Sequence, residues 1–264
     1  MTPSMPDQEL EQFIQQSGWG PDQKTSERKR NIETPSDEEK VLVFASAYSI
    51  NVIDKDWSVH EYAKRVAVVT ALCSHEGELY EGRQTGHIFS SRKRQMLGKR
   101  ELDVAQLHSS GHLMLDGGTY SGIFNTPDDD IHIKTDDITT GIVTLNGRII
   151  YSGLEKGIVD EGVRLDTNDD QIRSLCEHKG MLIDGRFDGK EYTICYSHDN
   201  ETIQTRDNAT NCFCSLDGTL YDGGFYNTIY QTFEDKPIIK TDYPILSMCA
   251  HPRQYFVEEG VLPP

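Results

Sequence analysis

One phrase recurs along the chain, and it restricts the folds open to it. Leu72-Cys-Ser-His-Glu-Gly77 is followed by Glu78-Leu-Tyr-Glu-Gly82 and then His87-Ile-Phe89. It returns as Leu107-His-Ser-Ser-Gly111, Leu113-Met-Leu-Asp-Gly117 and Gly122-Ile-Phe124, and again as Val143-Thr-Leu-Asn-Gly147, Ile149-Ile-Tyr-Ser-Gly153 and Gly157-Ile-Val159. Leu175 to Gly180 opens a fourth copy and Phe213 to Gly218 a fifth. A partial sixth holds Met248-Cys-Ala-His251, Tyr255-Phe-Val257 and Glu259-Gly260. The marker glycines Gly77, Gly111, Gly147, Gly180 and Gly218 are 34, 36, 33 and 38 residues apart, and Arg253 takes the position 35 residues after Gly218. A fixed period of this kind marks a repeat architecture.

Each unit reads strand, tight turn, strand, tight turn, strand, and a polar segment suited to a fourth strand. The marker glycine follows Glu, Asn, Lys or Asp in four copies, and Asn-Gly and Asp-Gly tolerate the positive φ of a two-residue hairpin. Leu72 with Cys73, Leu175 with Cys176, and Phe213 with Cys214 make the first strand apolar on both faces, as in strands covered on both sides. A small sheet with two apolar faces is stable when copies stack around an axis, each covering its neighbours. The fold expected is therefore an all-β, six-bladed propeller of ~35-residue repeats. Seven blades and a β-solenoid are the alternatives.

The sixth copy ends early, at Pro263-Pro264, while Val41–Ala45, Ile50–Ile53 and His60–Lys64 look like strands that lack the motif. Together they predict closure of the ring: N-terminal strands complete the blade begun at Ile245 and leave no open edge. Residues 39–264 form this domain. Residues 1–38 read as a flexible arm with a short helix over Asp7–Gln16, where Leu10, Phe13 and Ile14 share one face.

The pattern resembles the WD40 and kelch type of propeller over roughly residues 40–264, in period and strand order. Gly117-Gly118 and Gly223-Gly224 are similar to the paired glycines of kelch blades. A Trp-Asp dipeptide is absent, and the unit is shorter than in either family. The resemblance implies the superfold and, by analogy, protein binding on one loop face.

Four constellations bear on function. The acidic-Gly series Glu81, Asp116, Asp184, Asp222 and Glu259 has Ser152 in the remaining copy. Turn chemistry explains it first, because Asp before Gly suits a tight turn. A ring of carboxylates that attracts a cationic partner or calcium is the second reading, and an acid/base pair for a glycosidase the third. The basic run Arg92-Lys93-Arg94, with Lys99-Arg100, stands out on a chain of net charge −17 as a solvated loop or a docking site for an acidic partner. Cys73 with His75, Cys176 with His178, and Cys249 with His251 have a chelating spacing. The same slot elsewhere takes Leu107, Val143 and Cys214, so it reads as apolar core and no metal is expected. Tyr80 and Tyr221 exchange with Met114, Ile150 and Ile183 on the second strand, which favours inter-blade packing over a sugar-binding rim.

No phosphate-binding loop, dinucleotide fingerprint or nucleophile elbow is present. The acidity opposes binding to nucleic acid and to anionic membranes. Met1–Gln16 has no apolar h-region, and the six cysteines read as reduced thiols. The expectation is a cytoplasmic, monomeric, non-catalytic interaction scaffold with a protein partner and no cofactor. The alternative is a glycoside-acting enzyme or a sugar-binding lectin that uses the central mouth.

Overall fold

The computed structural model describes residues 39–264 apart from 121, 127, 129, 156, 161 and 166–169. The arm over residues 1–38 lies outside them. Six four-stranded antiparallel sheets form the molecule. Blade 1 is β4 (Val69–His75), β5 (Glu78–Arg83), β6 (His87–Ser90) and β7 (Met96–Lys99). Blade 2 is β8 (Val104–Ser110), β9 (Leu113–Gly118), β10 (Ile123–Thr126) and β11 (Asp130–Ile133). Blade 3 is β12 (Thr139–Leu145), β13 (Arg148–Gly153), β14 (Gly157–Asp160) and β15 (Val163–Arg164). Blade 4 is β16 (Gln171–His178), β17 (Met181–Phe187), β18 (Tyr192–Tyr196) and β19 (Thr202–Arg206). Blade 5 is β20 (Thr210–Leu216), β21 (Thr219–Gly224), β22 (Thr228–Gln231) and β23 (Lys236–Lys240).

The sixth blade closes the ring as the sequence predicts. C-terminal β24 (Ile245–Pro252) pairs with N-terminal β1 (Lys40–Ser46), followed by β2 (Ser49–Ile53) and β3 (Val59–Lys64). Six blades exclude both the seven-bladed and the solenoid alternatives. One expectation fails here. Tyr255–Val257 is not a strand but part of helix α1 (Arg253–Glu258). Because β1 already holds the second-strand place, the chain after Pro252 has no ladder to join. It turns into a short helix that buries Tyr255 and Phe256 against the closing blade.

The core is distributed. Buried apolar residues fall into six clusters, one in each seam between neighbouring blades. Hydroxyl groups add polar ties across the seams. Thr70 donates to the Val104 carbonyl (2.6 Å), Thr140 to that of Ile172 (2.9 Å), and Ser174 to that of Thr210 (2.9 Å).

The first hairpin turn of blades 1, 3, 4 and 5 has the chemistry its sequence implies. Glu76-Gly77, Asn146-Gly147, Lys179-Gly180 and Asp217-Gly218 all have positive φ at both positions, as in a type I′ turn. Blade 2 differs: Gly111 takes the first turn position with positive φ, and His112 follows without it. The irregular spacing of 34 and 36 residues arises there.

The acidic-Gly step has another cause. Gly82, Gly117, Gly185 and Gly223 lie inside second strands, outside the positive-φ region. A Cβ on them would stand 2.6 Å from Val104, 2.8 Å from Thr139, 2.9 Å from Thr210 and 2.8 Å from Ile245, on the first strand of the next blade. The glycines let neighbouring blades approach. In blade 3 the glycine has crossed the ladder: Gly141 faces Ser152, and its Cβ would meet Leu175 at 2.5 Å.

Candidate functional site

Counted from the first hairpin turn, the fourth rung of each blade pairs Leu72 with Glu81, Leu107 with Asp116, Ile142 with Tyr151, Leu175 with Asp184, and Phe213 with Asp222. In the closing blade Met248 faces Phe44 at the same place. Four blades thus carry a carboxylate where two carry an aromatic ring. The blade 3 member of the series is Tyr151, one residue before the Ser152 that the sequence spacing selects.

These four carboxylates neither form turns nor rim a face. Glu81 is 1% exposed, and Asp116, Asp184 and Asp222 are 0%. A buried carboxylate must be paired, and each is held by arginine. Arg206 gives Nε and Nη2 to Asp222, both at 2.9 Å, and turns Nη1 to Asp235 at 2.6 Å. Tyr226 donates its hydroxyl to Asp222 at 2.5 Å. Burial alone would lower the Arg206 pKa, but the hydrogen bond and charge of Asp222 outweigh it and hold the cation above its ordinary value. Burial, then the Asp222 charge, pushes Tyr226 well above the ordinary phenol range.

The other blades repeat the theme with altered parts. Arg100 pairs with Asp116 through Nε (2.7 Å) and Nη2 (2.6 Å), and Tyr120 and Thr126 donate to the same carboxylate. In blade 4 the arginine has moved to the second strand. Arg186 grips Asp184 at 2.6 and 2.5 Å and reaches Asn200 at 2.6 Å and Asp170 at 3.4 Å. In blade 1 both arginine positions are filled. Arg65 and Arg83 converge on Glu81, and Ser91 donates to it at 3.3 Å. In blades 1, 2 and 5 the arginine precedes its carboxylate by 16 residues. That spacing is readable in the sequence.

The remaining predicted site residues gather beside blade 1. Arg92, Lys93 and Arg94 occupy the loop between β6 and β7. Arg92 leaves the run to bind Glu259 (2.6 Å) and Glu258 (3.3 Å) at the end of α1, with its guanidinium 5.3 Å from the Tyr255 ring. Glu259 is therefore a helix-end residue and not a fifth member of the carboxylate series. Lys93 donates its backbone N–H to Ser90. Arg94 lines a pocket of about 190 Å³ with Lys64, Arg65, Glu81 and Arg83.

The Cys-x-His pairs part company. His75, His178 and His251 turn Nδ1 to a serine of the next blade: Ser109 (2.9 Å), Ser215 (2.9 Å) and Ser74 (2.8 Å). Where the histidine becomes Leu216, the serine becomes Ala250. Among the described residues no group of three or more His, Cys, Asp or Glu side chains is placed to hold a metal ion. All six cysteines are free thiols. Cys73, Cys176, Cys212, Cys214 and Cys249 border an axial cavity of about 570 Å³ lined by the first strand of every blade. Burial pushes the Cys73 and Cys214 thiols up to about 12, so they are protonated and weak nucleophiles at neutral pH. The cavity also holds Gln106, Ser109, Thr144 and Ser215. His108, whose Nε2 lies 2.9 Å from the Thr144 hydroxyl, is lowered to about 4 by burial.

The antiparallel order places the loops between second and third strands at the same end of the ring as the blade-to-blade connections. Tyr48, Val66, Leu102, Phe225 and Tyr243 all lie in these loops and are exposed, Val66 to 95%. They span three consecutive blades: blade 5, the closing blade and blade 1. Hydrogen bonds to two of their backbone carbonyls link the segments that carry Tyr243, Tyr48 and Val66. Ser46 donates to the Tyr243 carbonyl, and Arg65 N donates to that of Tyr48. At the opposite end the exposed rings have partners: Trp57 packs on Tyr221, and Phe233 on His178 and Tyr196. Trp57 and Tyr221 border a pocket of about 340 Å³ with Asp54 and Asp217. Among the described residues no helix is long and apolar enough to cross a membrane.

No family model matches the chain, and no curated protein matches it in sequence. Solved structures do share its fold. A chain of the crystallised nidogen/laminin complex is similar with a TM-score of 0.65 and 11% identity, over 80% of this chain and 98% of that one. The WD40 β-propeller domain of Doa1 gives 0.56 and 12%, over 80% and 82%. A chain of the mitotic checkpoint complex gives 0.50 and 13%, over 79% and 77%. At these identities the likeness establishes the propeller fold alone.

Proposed function

We propose that this chain is a non-catalytic protein-interaction scaffold of WD40-like type, which presents the loop face carrying Tyr48, Val66, Leu102, Phe225 and Tyr243 to a protein partner. The observation that carries the reading is this exposed apolar arc across three blades of an acidic ring. Exposed apolar groups gathered on one surface favour an interface. The raised thiols around the axial cavity and the seam-bound histidines favour binding over catalysis. The net charge of −17 disfavours nucleic acid and anionic membranes. We place the protein in the cytoplasm as a monomer, in keeping with six free thiols.

The test is capture from a native lysate by the full chain and by a Val66→Asp, Tyr243→Ser variant. The wild type retains a protein that the variant loses at unchanged melting temperature. Equal capture by both, or turnover of a glycoside panel with no captured protein, contradicts the reading. A lectin is the second reading, favoured by one observation: Trp57 and Tyr221 could receive a sugar ring in the pocket that Asp54 and Asp217 also border. Glycan-array binding that Trp57→Ala abolishes would establish it in place of the scaffold.

A further inference from the structure

We infer that the pocket between the closing blade and blade 1 binds a tetrahedral oxyanion: a phosphate, free or esterified to a side chain of a partner. The argument begins in blade 5. There Arg206 divides its guanidinium between buried Asp222 and Asp235, the residue of positive φ (50°) in the loop between β22 and β23. Asp235 lies four residues after Gln231, which pairs with Tyr221 on the third rung. In blade 4 the equivalent residue is Asn200, four after Tyr196, also of positive φ (60°), and it too accepts from the local arginine, at 2.6 Å.

In blade 1 the same count from Ser90, which pairs with Tyr80, arrives at Arg94, again of positive φ (52°). An acceptor has become a cation. Its neighbours deepen the change, because Arg65 and Arg83 both lean on the single carboxylate of Glu81. In blades 4 and 5 one arginine serves two carboxylates. In blade 1 two arginines serve one, and Arg94 and Lys64 line the same cavity.

The donors are prepared as well as charged. Arg65 spends Nε on both oxygens of Glu81, and among the described residues its Nη1 reaches only the Lys64 carbonyl, at 3.3 Å. Arg83 spends Nε and Nη2 on Glu81, and its guanidinium lies 4.0 Å from the Phe89 ring centre, which fixes its plane. The Arg65 and Arg83 side chains are 9% and 15% exposed, so both are anchored yet reachable. The cavity of about 190 Å³ has room for one phosphate group and is also lined by Ser90 and Ser91, whose hydroxyls accept from Lys93 N–H and donate to Glu81, respectively. A surplus of anchored guanidinium groups around a small polar cavity suits a phosphate, whose oxygens accept paired N–H donors. The anion takes the place that the Asp235 carboxylate fills in blade 5.

Phosphate binding here needs nothing from the scaffold reading; only a preference for a phosphorylated peptide would join the two. The experiment is isothermal titration of the full chain with inorganic phosphate, at ionic strength held constant with chloride. The wild type gives saturable one-to-one binding. Arg94→Asp supplies the missing carboxylate on a backbone already shaped for it, and it weakens phosphate at least about tenfold, as expected when a cation in a charged cluster is reversed. Lys190→Asp, on an exposed turn of blade 4, leaves the affinity unchanged. Should Arg94→Asp fail to fold, Arg94→Gln replaces it and loses affinity in the same direction. A heptapeptide with one central phosphoserine and its unphosphorylated twin separate the sources. Tighter binding of the phosphopeptide than of phosphate assigns a side-chain phosphate, and equal binding assigns the free ion. Absence of saturable binding, equal loss in the Lys190 variant, or equal affinity for the unphosphorylated twin overturns the site.

Discussion

Blade 5 and blade 1 have the same strand order, the same type of first turn and a buried acid on the fourth rung, yet they balance charge in opposite ways. Around Asp222 one arginine meets two carboxylates and a phenol. Around Glu81 two arginines meet one carboxylate, and a third stands where blade 5 has its second acid. The frame common to both shows what these two blades require: a seated carboxylate between blades, desolvated and paired. The difference shows what the ring does not require, which is where a function can reside. A repeat suppresses the meaning of any residue found in every copy and exposes the meaning of one that breaks the pattern.

The largest test of this contrast is removal of the acid itself. Asp222→Ala leaves Arg206 facing a buried vacancy and should cost about 3–5 kcal/mol in urea unfolding. Glu81→Ala should cost less, about 2 kcal/mol, because Arg65 and Arg83 can reach solvent. Equal losses would mean that the two clusters are alike in energy.

Acid probes the seams next. His108 and His251 are lowered to about 4 by burial, below the unfolded value near 6.5. Each therefore stays neutral in the folded chain while the unfolded chain takes up a proton. Their stabilising contribution is complete above pH ~6.5 and is lost as the pH falls towards 4, on the order of 3 kcal/mol per histidine. Melting temperature measured from pH 7 to 4 should fall over that window, and His108→Asn should flatten part of the fall.

The smallest effect bears most closely on blade 1. With no anion present, Arg94→Asp relieves repulsion and completes the blade 5 arrangement, and should raise stability by about 1 kcal/mol. Destabilisation by this change would mean that Arg94 has a partner of its own in the free protein.

Much of the fold can be read from the sequence because the repeat writes the same physical demand several times. The residue pairs Asn146-Gly147 and Asp217-Gly218 can hardly be anything but hairpin turns, and the short sixth copy with spare N-terminal strands leaves ring closure as the simple answer. The site is less legible. An acid before glycine suits a turn, but Asp116-Gly117 and Asp222-Gly223 lie inside strands, where glycine admits the next blade and the acid is buried. Local sequence cannot separate these causes, since the deciding neighbours, Thr139 and Ile245, belong to the following copy. The shift from Ser152 to Tyr151 depends on a ladder register that spacing fixes only to within a residue. Tyr255–Val257 has strand chemistry and folds as helix because its place in the sheet is already taken by β1. Arg94 reads as part of a basic run in the sequence, whereas its neighbour Arg92 is spent on Glu259, and the equivalence with Asp235 reveals its position.

The most direct measurement is the NMR of arginine Nε–H groups during addition of inorganic phosphate to the full chain. Saturable shifts confined to Arg65, Arg83 and Arg94, with Arg186 and Arg206 unmoved, are the predicted result. Shifts spread evenly over all five, or none at the blade 1 cluster, would contradict the account.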